Sequence, residues 1–376
     1  MKIERATVYL LRLPLVQSYN HYAASRSYTD NIVVRLQSEG LTGYGEGVPR
    51  SYVTGEGAQS AFEVMERSLA DVLSPRTFSD IRDVKRCLSD WAAGSLWKRN
   101  PAAFCALELA LLDLSSRCWD CSLEGIFGFE WNQPPPYSAV IPLLPPDRLD
   151  PFLSLVREHE MRTIKLKVGN PVDFAVFERI FAVLGTDLDL RVDANGAWTQ
   201  DEALRNIDKL RRYKIRAIEQ PVAKEDFEGL KKVTAASGAL IIADESVCSI
   251  EDARKLCEMK ACHAFNVRVS KCGGLLASQA VADIGRQGGL RVQLGCQVGE
   301  TGILSAAGRH LAGWLPDLLY LEGSFGTWAL QEDVVEEDIR FGKNGEAPPL
   351  TGKGLGVHVR EETLERYATD VATLII

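Results

Sequence analysis

Five charged groups recur at nearly constant distance along the second half of this 376-residue chain. Lys167 is followed by Asp193, Glu219, Asp244 and Lys271, at intervals of 26, 26, 25 and 27 residues. Each closes a short apolar run: Thr163-Ile-Lys-Leu-Lys167, Arg191-Val-Asp193, Ala217-Ile-Glu219, Ile242-Ala-Asp244 and Val267-Arg-Val-Ser-Lys271. A strand with its returning helix takes about that many residues, so each group comes back to the same end of its own strand. Eight strand candidates follow from such runs, at 137–143, 163–168, 188–193, 215–219, 239–244, 264–269, 290–294 and 318–322. Amphipathic patterns such as Asp201–Tyr213 and Ile250–Met259 lie between them. This predicts an α/β fold, a (β/α)7–8 barrel of the TIM type, with the five groups at its C-terminal mouth. A doubly wound sheet would need a topology reversal and a phosphate-binding first turn, and neither is visible.

The first segment has a different character. Residues 2–15 alternate apolar and polar, and 31–37 and 41–46 read as a hairpin parted by Ser38-Glu39-Gly40. Helical stripes follow at 58–73 and about 79–92, and Pro101 opens a third helix. Strands followed by helices make an α+β unit over residues 1–125, ahead of the barrel at 126–350. Pro134-Pro135-Pro136 separates the two. Residues 347–356 are too rich in Gly and Pro for a regular element, and a short helix at about 361–368 lies in a tail, 351–376, expected to return to the first unit.

Composition excludes several classes. A net charge of −8 argues against a nucleic-acid partner, and no 18-residue apolar run predicts a membrane span. The start lacks an apolar signal core, and nine cysteines without framework spacing read as reduced thiols in the cytoplasm. Cys118-Trp-Asp-Cys121 has no second pair and reads as two small packed residues. His159-Glu160 lacks the second histidine of a zinc protease motif. Glu322-Gly-Ser-Phe-Gly326 misses the nucleophile elbow by its first residue. Gly43-Tyr-Gly-Glu-Gly47 lacks the Lys-Ser/Thr of a phosphate loop and reads as strand and turn.

Three carboxylates in one mouth repel each other unless a cation sits between them. An all-oxygen set suits Mg2+, with Mn2+ as its substitute, better than zinc. Amines from the second and sixth strands flank that set. Lys165 and Lys167 share a face, and each disfavours the other's charge, so a base pKa of roughly 7–8 comes within reach. Proton loss α to a metal-held carboxylate, through an enediolate, is the chemistry such a site suits. Taken singly, an acid after a strand is more often a helix cap than a ligand, and a lone lysine is a solvated charge. Five in register outweigh that reading.

The residues resemble the enolase superfamily, in its muconate lactonizing enzyme subgroup, also called mandelate racemase/muconate lactonizing enzyme-like. Lys165-Leu-Lys167, Asp193-Ala-Asn195-Gly, Glu219-Gln220-Pro221, Ala243-Asp244-Glu245-Ser246 and Lys271-Cys-Gly-Gly274 carry the resemblance. Thr42–Glu46 and Ala106–Leu114 are similar to pieces of the family's first domain. The resemblance implies Asp193, Glu219 and Asp244 as Mg2+ ligands, with Asn195 and Glu245 orienting them and Lys271. It implies Lys167 as base, with Lys165 depressing its pKa, and Lys271 as the acid/base or stabilising cation on the other face. Loops at about 18–29 and 49–57 would close over the mouth. Tyr19, His21, Arg26, Tyr28, Arg50 and Tyr52 are candidate substrate contacts, with Glu300 and Glu322 as further site acids. The expected activity is that of an isomerase, a racemase or epimerase of a small-molecule carboxylate such as an amino-acid derivative or dipeptide. A muconate-type cycloisomerase or an o-succinylbenzoate-forming syn-dehydratase is the alternative, and a binding protein that has lost catalysis is the non-enzymatic one. Tyr52-Val-Thr-Gly-Glu56 is similar to dipeptide epimerases. Those carry an Asp-x-Asp pair on the eighth strand, whereas this chain has Tyr320-Leu-Glu322-Gly-Ser-Phe. A homo-oligomer is compatible with the resemblance by analogy alone.

Overall fold

The structure, a computed structural model, describes residues 1–21, 24–74 and 76–376, and the side chains of all these except 19–21, 24 and 25. The chain opens with strands β1 (Arg5–His21), β2 (Ala24–Ser38) and β3 (Leu41–Gly47), paired antiparallel in that order. Glu39 and Gly40 both take positive φ, the turn that joins β2 to β3 with matching twist. β1 and β2 run past the expected strand ends, and Tyr19 pairs with Arg26 beyond a register shift that follows Pro14. The segment expected as a loop at 18–29 is thus mainly the outer part of this hairpin.

The glycine-rich stretch is β3 itself. Gly43, Gly45 and Gly47 fall on one face, against the backbone of the helix Pro101–Cys118 at Ala102, Ala106 and Ala110. A Cβ on any of them would run into that helix well inside van der Waals contact. The alternating glycines and the alanines four apart are therefore one packing device. Helices Ala58–Leu73 and Ile81–Ala92 occupy the expected positions beside it.

All eight expected barrel strands are present, with ends trimmed by one or two residues at most sites. They are β4 (Ala139–Ile141), β5 (Thr163–Lys167), β6 (Asp189–Asp193), β7 (Ala217–Glu219), β8 (Leu240–Ala243), β9 (Ala264–Val267), β10 (Arg291–Leu294) and β11 (Leu318–Leu321). They pair in sequence order, all parallel. A bridge between Tyr137 and Leu321, with the Ser138 amide donating to the Leu321 carbonyl at 2.7 Å, brings the last strand back to the first. Ala217, Ile242, Ala264 and Tyr320 form a separate apolar plug.

The helix Glu361–Tyr367 is followed by a strand that had no sequence signal, β12 (Ala368–Ile375), which pairs antiparallel with the free edge of β1. Buried carboxylates join the two sheets' layers. Glu46 on β3 accepts from the Thr301 and Leu304 amides at 3.0 and 2.9 Å, at the start of the barrel helix Gly302–Trp314. Glu108 accepts from the Leu276 amide at 2.9 Å, at the start of the helix Leu275–Gln287. Negative charge is favoured at both positions. Burial nevertheless pushes Glu46 up to about 7 and Glu108 up to about 8. Among the described residues no helix is long and apolar enough to cross a membrane.

Candidate active site

The regular spacing becomes a row. Lys167 pairs with Asp193 across β5 and β6, and Asp193 with Glu219 across β6 and β7. Asp244 follows at the end of β8. Its amide donates to the side-chain oxygen of Gln220 at 2.8 Å, and the Ser246 amide donates to the same oxygen. Gln220 and Asn195 each adopt positive φ immediately past their strands, which turns the chain away and leaves the carboxylates at the mouth.

Asp193, Glu219 and Asp244 are all fully buried. Among the described residues, no three His, Cys, Asp or Glu side chains converge as a ready metal cluster. The chain's own cations stand between the acids instead. Lys165 Nζ lies 3.5 Å from Asp193, 3.1 Å from Glu219 and 2.8 Å from Glu322. Arg268 contacts the Asp244 carboxylate directly and lies 4.0 Å from Glu219. Asp244 Oδ2, buried beside that guanidinium, makes no hydrogen bond. The donor set fits a hard divalent ion: three oxygen-only carboxylates on adjacent strands, with side-chain cations standing in. Asp193, Glu219 and Asp244 are the residues that could hold one.

Burial opposes charge on Lys165, but Glu219, Glu322 and Asp193 overcome it, so its pKa is raised. Burial likewise opposes charge on Asp193, and Lys167, Lys165 and Arg268 together hold its pKa low. Burial raises Glu219. Lys271, on the short helix Val269–Cys272 after β9, is lowered by burial, with Arg268 adding to the effect.

Asn195 is the hinge between acids and base. Its oxygen accepts from Lys167 Nζ at 2.8 Å, and its amide donates to Asp193 Oδ2 and Glu245 Oε1, both at 3.1 Å. Lys165, Lys167, Asn195, Arg268 and Glu322 reach the wall of a cavity of roughly 270 Å³ at the mouth. Lys271 does not. It is wholly buried, donating to Asp244 Oδ1 at 2.8 Å and to the Asp244 and Asn266 carbonyls, both at 2.7 Å.

Of the expected contacts, Arg26 and Tyr52 line this cavity. The side chains of Tyr19 and His21 lie outside the described residues. Tyr28 is exposed, under the Arg12 guanidinium. Arg50 is a buried clamp, donating to Thr29 and to the Val298 carbonyl. Glu300 is off the cavity wall and accepts from the Gln297 amide. Glu322 is at the wall but tied to Arg191 at 2.6 Å and to Lys165.

Sequence reading missed Arg191, Asn266, Arg268 and Gln293. Asn266 and Gln293 donate to Glu219 at 2.8 and 2.9 Å, and Arg191 holds Glu322. A signal existed: Arg191 stands two residues before Asp193, as Lys165 stands two before Lys167, and alternate residues share a strand face.

A family model described as "Mandelate racemase / muconate lactonizing enzyme, N-terminal domain" matches residues 7–128, and one described as "Enolase C-terminal domain-like" matches 151–363. A hydrophobic dipeptide epimerase of Enterococcus faecalis is 30% identical over 94% of each chain. An N-succinyl-L-Arg/Lys racemase of Bacillus cereus is 26% identical over 97% of each. A crystal structure of a dipeptide epimerase from Enterococcus faecalis, complexed with Mg and the dipeptide L-Leu-L-Tyr, superposes with a TM-score of 0.84 at 27% identity, covering 95% of this chain and 99% of that one. With both halves matched in order, the chain belongs to the mandelate racemase/muconate lactonizing enzyme family of the enolase superfamily.

Proposed function

We propose that this protein is an isomerase that racemises or epimerises a small carboxylate substrate by moving the proton α to the carboxylate. The observation that carries the reading is the row of Lys167, Asp193 and Glu219, continued by Asp244 and Lys271. Asp193, Glu219 and Asp244 would hold Mg2+, as the Mg complexes of related epimerases suggest. The ion, when bound, supplies positive charge beside the carboxylate oxygens on which the enediolate's charge develops.

Lys167 faces the cavity and takes the α-proton from one side. Asn195 fixes its amine, and a base held in place contributes a factor of about 10² to 10⁴. Lys165, kept charged by three acids, stabilises negative charge beneath the substrate. Lys271, buried behind Asp244, would have to leave its three hydrogen bonds to deliver the proton on the opposite face. Burial lowers its pKa from the ordinary lysine value. The nine free cysteines support a reducing compartment, the cytoplasm.

Solvent deuterium exchange tests this. Both enantiomers of a substrate should acquire deuterium at the α-carbon. A second reading, cycloisomerase or syn-dehydratase, is favoured by the burial of Lys271 away from the cavity, since those reactions need one base only. Exchange from one face, with ring closure or water loss, would establish it.

A further inference from the structure

Three separate stretches of chain meet at one buried guanidinium. Arg50, 2% exposed, donates through Nη1 to the Pro49 carbonyl at 2.8 Å and to the Asp30 carbonyl at 3.2 Å. Through Nη2 it donates to the Thr29 hydroxyl at 2.6 Å and to the Val298 carbonyl at 2.8 Å. Thr29 and Asp30 belong to β2, Pro49 to the loop after β3, and Val298 to the loop after β10. Each stretch supplies part of the cavity wall: Arg26 from the first, Tyr52 from the second, and Gln297, Val298 and Gly299 from the third. The first two also touch each other, with the Arg26 guanidinium 5.5 Å from the Tyr52 ring centroid.

A relay carries the tie further. The Thr29 hydroxyl donates to Asn31 Oδ1 at 2.6 Å, and Asn31 Nδ2 donates to the Gly299 carbonyl at 2.8 Å and to Glu46 Oε1 at 2.7 Å. Gly299 lies so close that a Cβ there would come within 2.6 Å of Thr29. All four acceptors of Arg50 are neutral oxygens, three carbonyls and a hydroxyl. A buried charge answered only by such dipoles contributes little net stability. What the guanidinium adds is geometry: a planar fork of donors reaches acceptors on three segments at fixed angles, which an ammonium on a flexible stem does not reproduce.

The proton-moving side has its own supports. Asn195 fixes Lys167, and Asp193, Glu219 and Glu322 surround Lys165. None of these is a partner of Arg50. Gln297 is the neighbour of Val298 in sequence, and its side-chain oxygen accepts from Arg268 at 3.1 Å.

We propose that Arg50 is a positioning residue: acting through Thr29 and Val298, and without touching substrate, it fixes the hairpin, Tyr52 and Gln297 at the spacing that shapes the substrate-binding wall. This rests on the proton-transfer reading above. Parts of the substrate remote from the reacting carbon meet that wall. A loosened wall therefore weakens ground-state and transition-state binding alike, which raises KM and spares kcat.

The test uses the full chain with Mg2+ and follows α-deuterium exchange of L-alanyl-L-phenylalanine and N-succinyl-L-arginine, taking forward whichever the parent exchanges faster. Arg50→Lys should raise KM at least tenfold and leave kcat within threefold. Thr29→Val, which keeps the shape and removes the relay, should move KM the same way, and Thr29→Ser should bring it back to within threefold of the parent. A merely structural role would reduce the share of folded enzyme, lowering kcat at unchanged KM, and that outcome overturns the proposal. Backbone amide exchange of the substrate-free protein gives a readout without turnover. In Arg50→Lys, residues 26–31, 50–54 and 297–300 should exchange at least tenfold faster together, with β5, β6 and β7 unchanged. Acceleration in one of the three segments only, or in none, also overturns the proposal. If the parent exchanges neither probe, the proton-transfer reading fails, and the amide readout alone decides whether Arg50 ties the three segments.

Discussion

Arg268 lays its guanidinium against the carboxylate of Asp244, with Gln297 holding its other end and Glu219 within 4.0 Å. Arg268 thus serves as the counter-charge of these acids, and a divalent ion held by the same acids would compete with it. Arg268→Met should tighten Mg2+ binding at least tenfold in a calorimetric titration with the metal alone. It should also lower the melting temperature of the metal-free protein, because three buried acids lose a counter-charge. Unchanged or weaker Mg2+ affinity would contradict the competition.

Chelation should abolish α-proton exchange, and Mg2+ or Mn2+ should restore it. Carboxylate oxygens accept both ions, so Mn2+ should also give a paramagnetic broadening that Asp193→Asn and Asp244→Asn each remove. Activity persisting in excess chelator would remove the metal from the reaction.

The two amines should fail differently. Lys167→Ala should suppress exchange of one enantiomer at least a hundredfold, and Lys271→Ala that of the other, each leaving some exchange of the remaining enantiomer. Proton NMR in deuterium oxide reads both. Loss of the same enantiomer in both variants would assign one base and support the cycloisomerase reading.

Glu108 links stability to pH. Its folded-state pKa near 8 lies above the ordinary 4.5, so between these values the folded chain holds a proton that the unfolded chain releases. Its contribution is therefore full below about pH 4.5 and is lost as pH climbs to about 8. Glu108→Gln keeps one acceptor for the Leu276 amide and puts an amide nitrogen where Oε2 has no partner. The variant should melt a few degrees above the parent at pH 8.5 and show a flatter melting profile from pH 5 to 8.5. A profile identical to the parent's would refute the linkage.

Gly45→Ala should destabilise the chain by about 1–3 kcal/mol or more, because a methyl there meets the helix backbone at Ala106 and Ala110. Chemical denaturation would measure it. Gly40→Ala, which meets nothing nearby but sits at φ +78°, should be milder.

The barrel was legible because its period is set by chain length: a strand and a returning helix consume a fixed number of residues, and the pairing of Lys167 with Asp193 and Glu219 follows. The β2–β3 hairpin was legible in Glu39-Gly40. What escaped depended on contacts distant in sequence. Lys165 reads in the sequence only as the neighbour of Lys167, and its contact with Glu322, from the end of the eighth strand, needs the closed barrel. Lys271 was expected at the mouth, but its three bonds hold it behind Asp244. β12 follows a helix without a turn signal, and only the open edge of β1 explains it. Arg268 is one more basic residue in the sequence, and its role is visible only once β8 and β9 are neighbours.

The buried glutamates Glu46 and Glu108 reach from the antiparallel layer to the first amides of two barrel helices. A chimera that pairs this N-terminal unit with a relative's barrel would strand both acids unless the receiving helices offer their amides at the same height. Transplanting substrate preference within the family is therefore a matter of matching two seams, and the hairpin that shapes the pocket travels only with them.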